Sequence, residues 1–246
     1  IEKAFEMIEE AAANGADAAK FQTYKAENLA AKNSPAYWDL QKEPTQSQRE
    51  LFKKYDSFSR QDYIRLSEKC QQNGIEFCST PFDSKAVEDL DPLVSFFKIA
   101  SADLTNLPLL RQVASKHKPV VLSTGASEMW EIALAVDELR KYECQQVVLL
   151  HCVLNYPTEL VDANLNMIAG LKKAFPDNII GYSDHTKGYH ASIAAVALGS
   201  TIIEKHLTLN NNLKGPDHKA SLNPKKFKEF VKLLRNTEVS LGSPIK

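Results

Sequence analysis

Apolar and polar positions along the chain follow two different periods. Spacings of three and four residues, typical of one buried helix face, predict eight helices at 1–14, 60–73, 83–90, 107–117, 128–141, 165–175, 188–198 and 224 to about 237. Short apolar runs between them predict seven strands at 18–22, 75–79, 96–99, 119–123, 147–151, 179–183 and 201–206. Helices and strands therefore alternate, with a helix at each end. Ser59 and Ser127 are the predicted N-caps of the helices that follow them.

The strands are apolar at nearly every position, as in Val-Val-Leu-Leu at 147–150, which indicates a parallel sheet covered on both faces. We therefore predict an α/β fold, a (β/α)8 TIM barrel that lacks its first strand in this chain. An open doubly wound sheet is the alternative, although the nine glycines form no GxGxxG or P-loop motif. Residues 1–240 are the predicted barrel domain. Residues 241–246 are the predicted start of a linker to a further, absent domain.

The composition argues against several classes of protein. Of the 246 residues, 30 are basic and 31 acidic. The net charge of −1 gives no excess of positive charge for binding nucleic acid or an anionic membrane. No apolar run approaches the ~18 residues that a membrane-spanning helix needs, and the first residues lack a signal-peptide pattern. The four cysteines form no CxxC pair and indicate reduced thiols, so we expect a cytoplasmic protein.

Polar side chains gather where the predicted strands end. These positions are Lys20, Gln22, Ser79, Thr80, Lys98, Ser101, Ser123, Thr124, His151, Ser183, Asp184, His185, Glu204 and His206. The carboxyl ends of parallel strands meet at one face, where barrel enzymes keep their active sites. Lys20 and Lys98, placed on neighbouring strands beside several hydroxyls, predict a site for a phosphate or carboxylate group.

Histidines end the last two predicted strands. His185 and His206 are expected to approach each other and to bind one divalent metal, Mn²⁺, Fe²⁺ or Zn²⁺, with Glu204 completing or supporting the site. The alternative is a pair of hydrogen-bonded histidines that binds no metal. His151 has no partner by spacing and is interpreted as a structural residue.

Two connections are much longer than most strand–helix loops, at residues 23–59 and 207–223. Both follow a strand and should lie at the carboxyl face, where long loops often act as lids or specificity elements. In the second connection, Asp217 is a candidate to accept a substrate hydroxyl or to transfer a proton, unless this segment is only a solvated turn.

Short motifs occur in one order along nearly the whole chain: GADAAKFQ at 15–22, STPF at 79–82, KIAS at 98–101, STG at 123–125, HC at 151–152, YP at 156–157, GYSDHT at 181–186, EKH at 204–206 and GPDH at 215–218. Together they resemble the sialic acid synthase family. The resemblance implies a (β/α)8 barrel that condenses phosphoenolpyruvate with N-acetylmannosamine, or a related amino-sugar aldehyde, to give a nonulosonic acid and phosphate.

The same resemblance implies roles for individual residues. Phosphoenolpyruvate is expected to bind to Lys20, Thr80, Lys98, Ser101, Ser123 and Ser183. A divalent metal, Mn²⁺ or Mg²⁺, is expected on His185 and His206. The sugar would face Gln22, Tyr156 and Asp217. Glu204, Asp217 and Lys98 are the expected catalytic residues, with Glu204 at the reacting centre.

Three departures from the family pattern stand out. The family's first strand, with its Glu and Asn-His segment, would precede residue 1. Its C-terminal antifreeze-like domain, which supplies an Arg to the neighbouring subunit of a homodimer, would follow residue 246. Leu154 stands where members often carry a polar residue. The alternatives are a related phosphoenolpyruvate-aldose phosphate synthase and a truncated, non-catalytic ligand-binding barrel, and the amino sugar stays open.

Overall fold

A computed structural model describes residues 1–36, 38–41, 43–144, 146–213, 215 and 217–243. In that part of the chain the predicted helices and strands are all present in the predicted order. The strands are β1 Ala18–Thr23, β2 Glu76–Pro81, β3 Phe97–Ile99, β4 Val120–Ser123, β5 Val147–Cys152, β6 Ile179–Asp184 and β7 Ile203–Lys205. The helices are α1 Glu2–Ala13, α2 Ala26–Leu29, α3 Gln48–Tyr55, α4 Arg60–Gln72, α5 Ser84–Leu90, α6 Leu107–Ala114, α7 Met129–Lys141, α8 Met167–Ala174, α9 His190–Ala197 and α10 Pro224–Leu241.

The helix termini confirm one predicted cap and correct another. Ser59 caps α4, because its hydroxyl accepts the N–H of Asp62 while the Asp62 carboxylate accepts the N–H of Ser59. Ser127 does not cap α7. The N-cap is Glu128, one residue later, and the Ser127 hydroxyl donates instead to the carbonyl of Gly125. The short helices α2 and α3 lie in the first long connection, where the sequence pattern predicted no helix.

All strand ladders are parallel, which confirms the predicted α/β class. β1 pairs with β2, and β3 to β7 form a five-stranded half-barrel in sequence order. β2 packs against β3, but among the described residues no ladder joins β2 to β3 or β7 to β1. The structure thus shows an α/β fold with a half-barrel sheet. That a first barrel strand is missing stays a prediction.

Apolar side chains lie on both sides of the strands. The main core fills the space between the strands and the surrounding helices, with buried members from α1, α4, α6 and α7 among others. A smaller cluster of Val121, Val148 and Leu150 packs on the other, inner side. Gly181 on β6 belongs to this inner layer, because a Cβ atom at this position would lie 2.5 Å from Cδ2 of Leu150.

The inner apolar layer supports the polar strand ends. Residues two positions apart on a strand point to the same side. Ser123 and Ser183 therefore share the inner side with Val121 and Gly181, and Glu204 shares it with Ile202, the residue before β7. The register places Cys152, Ser183 and Glu204 side by side on β5, β6 and β7. The fold therefore presents a polar surface at the carboxyl ends of the strands, above an apolar floor.

The last helix extends beyond its predicted end at residue 237 and stops at Leu241. The predicted linker at 241–246 lies partly outside the described residues, and the domain division stays a prediction. No helix in the described ranges is long and apolar enough to cross a membrane.

Candidate active site

Two lysines and a glutamate meet inside the mouth of the half-barrel. Nζ of Lys20, on β1, lies 3.0 Å from Oε1 of Glu204 on β7. Nζ of Lys98, on β3, lies 3.7 Å from the other carboxylate oxygen, Oε2. The expectation that the two lysines sit on neighbouring strands is wrong, since β2 lies between β1 and β3. Their ammonium groups converge nevertheless, because both reach toward the same carboxylate.

The charges in this lysine–glutamate cluster shift one another's pKa. Burial raises the pKa of Glu204, but Lys20, Lys98 and the hydrogen bonds to the carboxylate outweigh it and hold the pKa far below its usual value. Burial lowers the pKa of Lys20, and the adjacent Glu204 carboxylate reverses this and raises it. At Lys98, which is 3% exposed, burial prevails and the pKa is lowered. With all three groups ionised, the cluster has a net positive charge, which suits an anionic ligand.

Hydroxyl groups surround the cluster as the sequence predicted. Ser123 accepts a hydrogen bond of 2.7 Å from Lys98, and Ser183 donates one of 2.9 Å to Glu204. Ser101 lies further along the mouth, where its hydroxyl accepts the N–H of Gly125 at 2.9 Å. All three serine side chains are buried.

The ends of β1 and β2 contribute the remaining polar residues expected to bind substrate. Thr80 is buried at the end of β2, and Gln22 is its register partner on the exposed edge of β1. Residues paired in this way point to the same side of the sheet, so both face the side on which Lys20 lies.

The two histidines lie next to each other, as predicted from the order of their strands. The ring centroids of His185 and His206 are 5.5 Å apart and the rings are nearly perpendicular. Nδ1 of His185 donates to the carbonyl of Val153 at 2.6 Å, so Nε2 is the nitrogen that can bind a ligand. Oδ2 of Asp217 lies 3.8 Å from Nδ1 of His206. The second long connection thus brings Asp217 to the site, whereas Pro216 of the same motif lies outside the described residues.

Tyr156 covers this histidine pair. Its ring centroid lies 4.1 Å from that of His185 and 5.8 Å from that of His206. The loop that carries Tyr156 is held at both ends by His185, whose ring donates to the Val153 carbonyl and whose own carbonyl accepts the N–H of Thr158 at 2.9 Å. Tyr156 is half-exposed, so part of its side chain is open to solvent.

The donor chemistry of the histidine pair fits a divalent cation. Burial lowers the pKa of His185 and of His206, so both imidazoles are neutral near pH 7, the form that binds metal. Within the described residues, no group of three His, Cys, Asp or Glu side chains converges to hold an ion. The pair can therefore supply two nitrogen ligands, and the remaining ligands would be oxygens of water or substrate.

Cys152, Asp184 and Lys205 lie near the site and have no predicted role in it, although Asp184 is among the polar residues at the predicted strand ends. The Sγ atom of Cys152 lies 3.6 Å from the hydroxyl of Ser101. Asp184 and Lys205 form an ion pair behind the two histidines. The signal for this pair was present in the sequence, since each residue immediately precedes a strand-end histidine.

His151 has the structural role expected of it. Its Nε2 lies 2.8 Å from the Ala163 carbonyl, and its ring stacks on Tyr182 at a centroid distance of 5.6 Å. Both contacts lie on the side of β5 and β6 away from the lysine–glutamate cluster.

The fold and the site define an α/β protein with a positively charged cluster and a histidine pair at the carboxyl ends of its parallel strands. The comparisons with known proteins agree with the family resemblance of the sequence motifs. The chain belongs to the NeuB family, whose profile matches residues 7–246.

Several relatives of this chain are named as synthases of acidic sugars. It is 41% identical, over 98% of its length, to the N,N'-diacetyllegionaminic acid synthase of Campylobacter jejuni, and covers 73% of that protein. It is 39% identical, over its whole length, to the N-acetylneuraminate-9-phosphate synthase of Mus musculus, and covers 68% of it. A crystal structure of the sialic acid synthetase of Leptospira borgpetersenii in complex with citrate superposes with a TM-score of 0.89 at 36% identity, over 99% of this chain and 80% of that one.

Proposed function

We propose that this protein condenses phosphoenolpyruvate with an N-acetylated amino-sugar aldehyde, giving a nonulosonic acid and inorganic phosphate. One observation carries the proposal: the lysine–glutamate cluster and the histidine pair share one mouth, so an anion and a sugar carbonyl can be held side by side. Membership of the NeuB family and the names of the relatives support it.

The lysine–glutamate cluster would bind phosphoenolpyruvate. Lys20 and Lys98 supply charge for its carboxylate and phosphate, and the hydroxyls around them add donors without further charge. These hydroxyls belong to Thr80, Ser101, Ser123 and Ser183. In the present arrangement Glu204 faces both ammonium groups, so an incoming anion must share the lysines with this carboxylate.

The histidine pair would hold the metal and the sugar. A Mn²⁺ or Mg²⁺ ion on His185 and His206, when bound, supplies Lewis-acid polarisation of the aldehyde oxygen. Gln22 and Tyr156 orient the sugar at the mouth. The Asp217 carboxylate, 3.8 Å from His206, accepts a hydrogen bond from a sugar hydroxyl or takes its proton.

The reaction then joins the two substrates. The methylene carbon of phosphoenolpyruvate uses the π pair of its C=C bond to form a bond to the aldehyde carbon, which leaves positive charge on the carbon that bears the phosphate ester. The π pair of the aldehyde C=O bond moves to its oxygen, which takes up a proton to become a hydroxyl. The Glu204 carboxylate, ionised because its pKa is held far below the usual value, stabilises that charge. Water adds at this carbon, and the C–O bond to phosphate then breaks to leave a ketone. One proton of the water replaces the proton taken up by the aldehyde oxygen, and the other leaves with inorganic phosphate. The lysines act mainly by holding the substrate in line.

We further propose that the protein works in the cytoplasm as a homodimer. A phosphorylated amino sugar is the second candidate substrate, because the mouse relative is named as a 9-phosphate synthase. The two lysines of the site, however, already face one anionic substrate. A second phosphate would need further cationic groups from the long connections.

The test is a panel of sugars assayed with phosphoenolpyruvate and Mn²⁺. The panel contains N-acetylmannosamine, its 6-phosphate and a 2,4-diacetamido hexose, and the readouts are phosphate release and the mass of the product. This chain is compared with a version extended at both ends to the length of its relatives, and Lys98→Met is the control for site-dependent turnover.

Each outcome decides between the candidates. A nonulosonic acid formed from an unphosphorylated sugar supports the proposal. Product formed only from the 6-phosphate favours the second candidate. Binding of phosphoenolpyruvate without product from any sugar, in either version, contradicts the proposed reaction and favours a non-catalytic binding barrel.

A further inference from the structure

A buried ion pair lies directly behind the two histidines. Nζ of Lys205 is 3.0 Å from Oδ2 of Asp184, and their side chains are 1% and 0% exposed. Asp184 is the residue before His185, and Lys205 is the residue before His206. The two charges therefore sit at the last positions of β6 and β7, where the chain turns into the histidine-bearing ends.

The register of the strands makes this pair a bridge between β6 and β7. Asp184 and Lys205 are Cα partners in the parallel ladder. Their neighbours Ser183 and Glu204 are also partners and hydrogen-bond on the inner side, so the ion pair lies on the outer side. The two strands are thus linked by side chains on both faces at the level of the histidines.

The Asp184 carboxylate also shapes the backbone around His185. Its Oδ1 accepts the N–H and the hydroxyl of Thr186 at 2.8 and 2.7 Å, which closes a turn over His185. Its Oδ2 accepts the hydroxyl of Ser192, on α9, at 2.5 Å. Lys205 donates to the carbonyl of Thr186 at 2.6 Å. One carboxylate and one ammonium therefore fix the backbone on both sides of His185 and tie it to the strand of His206.

An ion pair this deeply buried is an inefficient way to stabilise a fold. Removing two charges from water costs several kcal/mol per ion, and well-packed apolar residues are often as stable or more so. The neighbouring contacts point to geometry as its use. Apart from the Tyr182 hydroxyl on β6, which donates to Oδ1 of Asp184 at 3.4 Å, the partners of the pair belong to the turn at His185 or to α9.

We infer that Asp184 and Lys205 are positioning residues that hold His185 and His206 at the separation one divalent cation requires. The inference rests on the proposed function, in which His185 and His206 bind a divalent metal. Neither residue touches the cation or a substrate. They act through the backbone of the two strand ends, as outer partners of metal ligands do elsewhere.

The test separates ring spacing from metal binding. In Lys205→Met the side-chain length is kept and the link between the strands is lost, while Asp184 keeps its donors from Thr186 and Ser192. We expect the affinity of this variant for Mn²⁺, measured by water-proton relaxation, to fall at least ~10-fold. This is the lower end of the loss of metal affinity found when the outer partners of metal ligands are mutated. In the histidine-labelled Lys205→Met variant without metal, we expect the ring-to-ring NOE between His185 and His206 to be weaker than in the wild type or absent.

Arg111→Met is the matched control. Arg111 forms an ion pair with the largely buried Glu138, between α6 and α7 and away from the mouth. This variant also loses one cation from an ion pair, so it should leave both the NOE and Mn²⁺ binding unchanged. If Lys205→Met does not fold, the doubly neutral Asp184→Asn/Lys205→Met variant replaces it, because that variant leaves no uncompensated buried charge.

The outcomes are distinct from those of the proposed function. A folded variant with the wild-type NOE and Mn²⁺ affinity within twofold of wild type overturns the inference. If the wild-type chain binds no Mn²⁺, the metal site of the proposed function is refuted. The NOE measured without metal still shows whether the Asp184–Lys205 pair sets the distance between the two histidine rings. Loss of catalysis with metal binding and NOE intact also contradicts a positioning role.

Discussion

Lys20 and Glu204 join two strands that share no ladder. The ammonium of Lys20 on β1 lies 3.0 Å from the carboxylate of Glu204 on β7, and within the described residues these strands exchange no backbone hydrogen bonds with each other. The side chain of Lys20 is 28% exposed, so part of this contact faces solvent and its strength is reduced by screening. The carboxylate occupies space between the two lysines that the sequence assigned to a substrate anion.

Replacing Glu204 with Gln should separate anion binding from turnover. Without the carboxylate, Lys20 and Lys98 are free for the ligand, so phosphate and phosphoenolpyruvate should bind about 1 kcal/mol, or roughly fivefold, more tightly. Turnover should fall by about 100-fold or more, because a charge that stabilises the reacting centre is lost. Calorimetry measures the first effect and phosphate release the second.

The control for this variant is Glu88→Gln. Glu88 pairs with Lys116 at 2.7 Å on the outside of the molecule, so neutralising it should change neither quantity. Weaker binding of phosphate by Glu204→Gln would mean that Glu204 organises the lysines rather than competing with the anion.

The two lysines should differ in their contribution to anion binding. Lys98→Met keeps the packing of the side-chain stem but removes a buried, charge-assisted donor, which costs about 1.5–3 kcal/mol, so phosphoenolpyruvate should bind at least tenfold less tightly. Lys20→Met should have a smaller effect because Lys20 is partly solvated. Calorimetry with phosphoenolpyruvate compares both with Lys85→Met, an exposed lysine paired to Asp89. Wild-type affinity in both site variants would exclude the lysines as the anion site.

Much of the site could be predicted because parallel strands end at one face. The adjacency of His185 and His206 followed from the order of their strands alone. The meeting of Lys20 and Lys98 at Glu204 did not, because it depends on the curvature of the sheet and on how far each side chain extends. Sequence spacing places residues on strands, but it does not say which charges will share a partner across the barrel.

Helix α3, in the first long connection, shows a second limit of prediction from the sequence. α3 has no buried residue, and its first turn is capped by the Ser47 hydroxyl, which accepts the N–H of Glu50 at 3.3 Å. With only eight residues, the helix offers three apolar positions, Leu51, Phe52 and Tyr55, and this is too short a stretch to establish a helical period. The Asp184–Lys205 pair shows a further limit, because the position of Asp184 at a strand end does not indicate that it faces outward and pairs with Lys205.

Stability should fall as the pH drops below about 6.5, and His151 should contribute to this. Burial lowers the pKa of His151 below its usual 6.5. Between the two pKa values the unfolded chain binds a proton that the folded chain does not. The stabilisation is therefore complete above pH 6.5 and is lost as the pH falls toward the folded pKa. The pKa values of His185 and His206 shift the same way, so the three effects add.

His151→Gln isolates the contribution of one ring, since the amide can still donate to the Ala163 carbonyl. Below pH 6.5 the slope of the unfolding free energy against pH should decrease by up to ~1.4 kcal/mol per pH unit, measured by urea unfolding at several pH values. An unchanged slope in His151→Gln would show that this ring is protonated equally in both states.

Replacing Gly181 or Gly170 with alanine should change the free energy of unfolding in opposite directions. A Cβ atom at Gly181 would lie 2.5 Å from Cδ2 of Leu150 and 2.6 Å from the carbonyl oxygen of Ile202. That carbonyl accepts the N–H of Tyr182 at 2.8 Å, so it cannot move away without weakening the ladder between β6 and β7. Gly181→Ala should therefore lower the unfolding free energy by about 1–3 kcal/mol.

The control for this last prediction lies on the outside of the protein. At Gly170, an exposed position in α8, an added Cβ meets no atom within 4 Å, and alanine favours a helix over glycine by about 0.5–1 kcal/mol. Gly170→Ala should thus raise the unfolding free energy in urea titrations, while Gly181→Ala lowers it. Because β6 and β7 carry the histidine pair, Gly181→Ala should also weaken Mn²⁺ binding, which Gly170→Ala should leave unchanged. Equal stability of the two variants would show that Leu150 and the strand ends can yield, and that the inner apolar layer is less tightly packed than these distances imply.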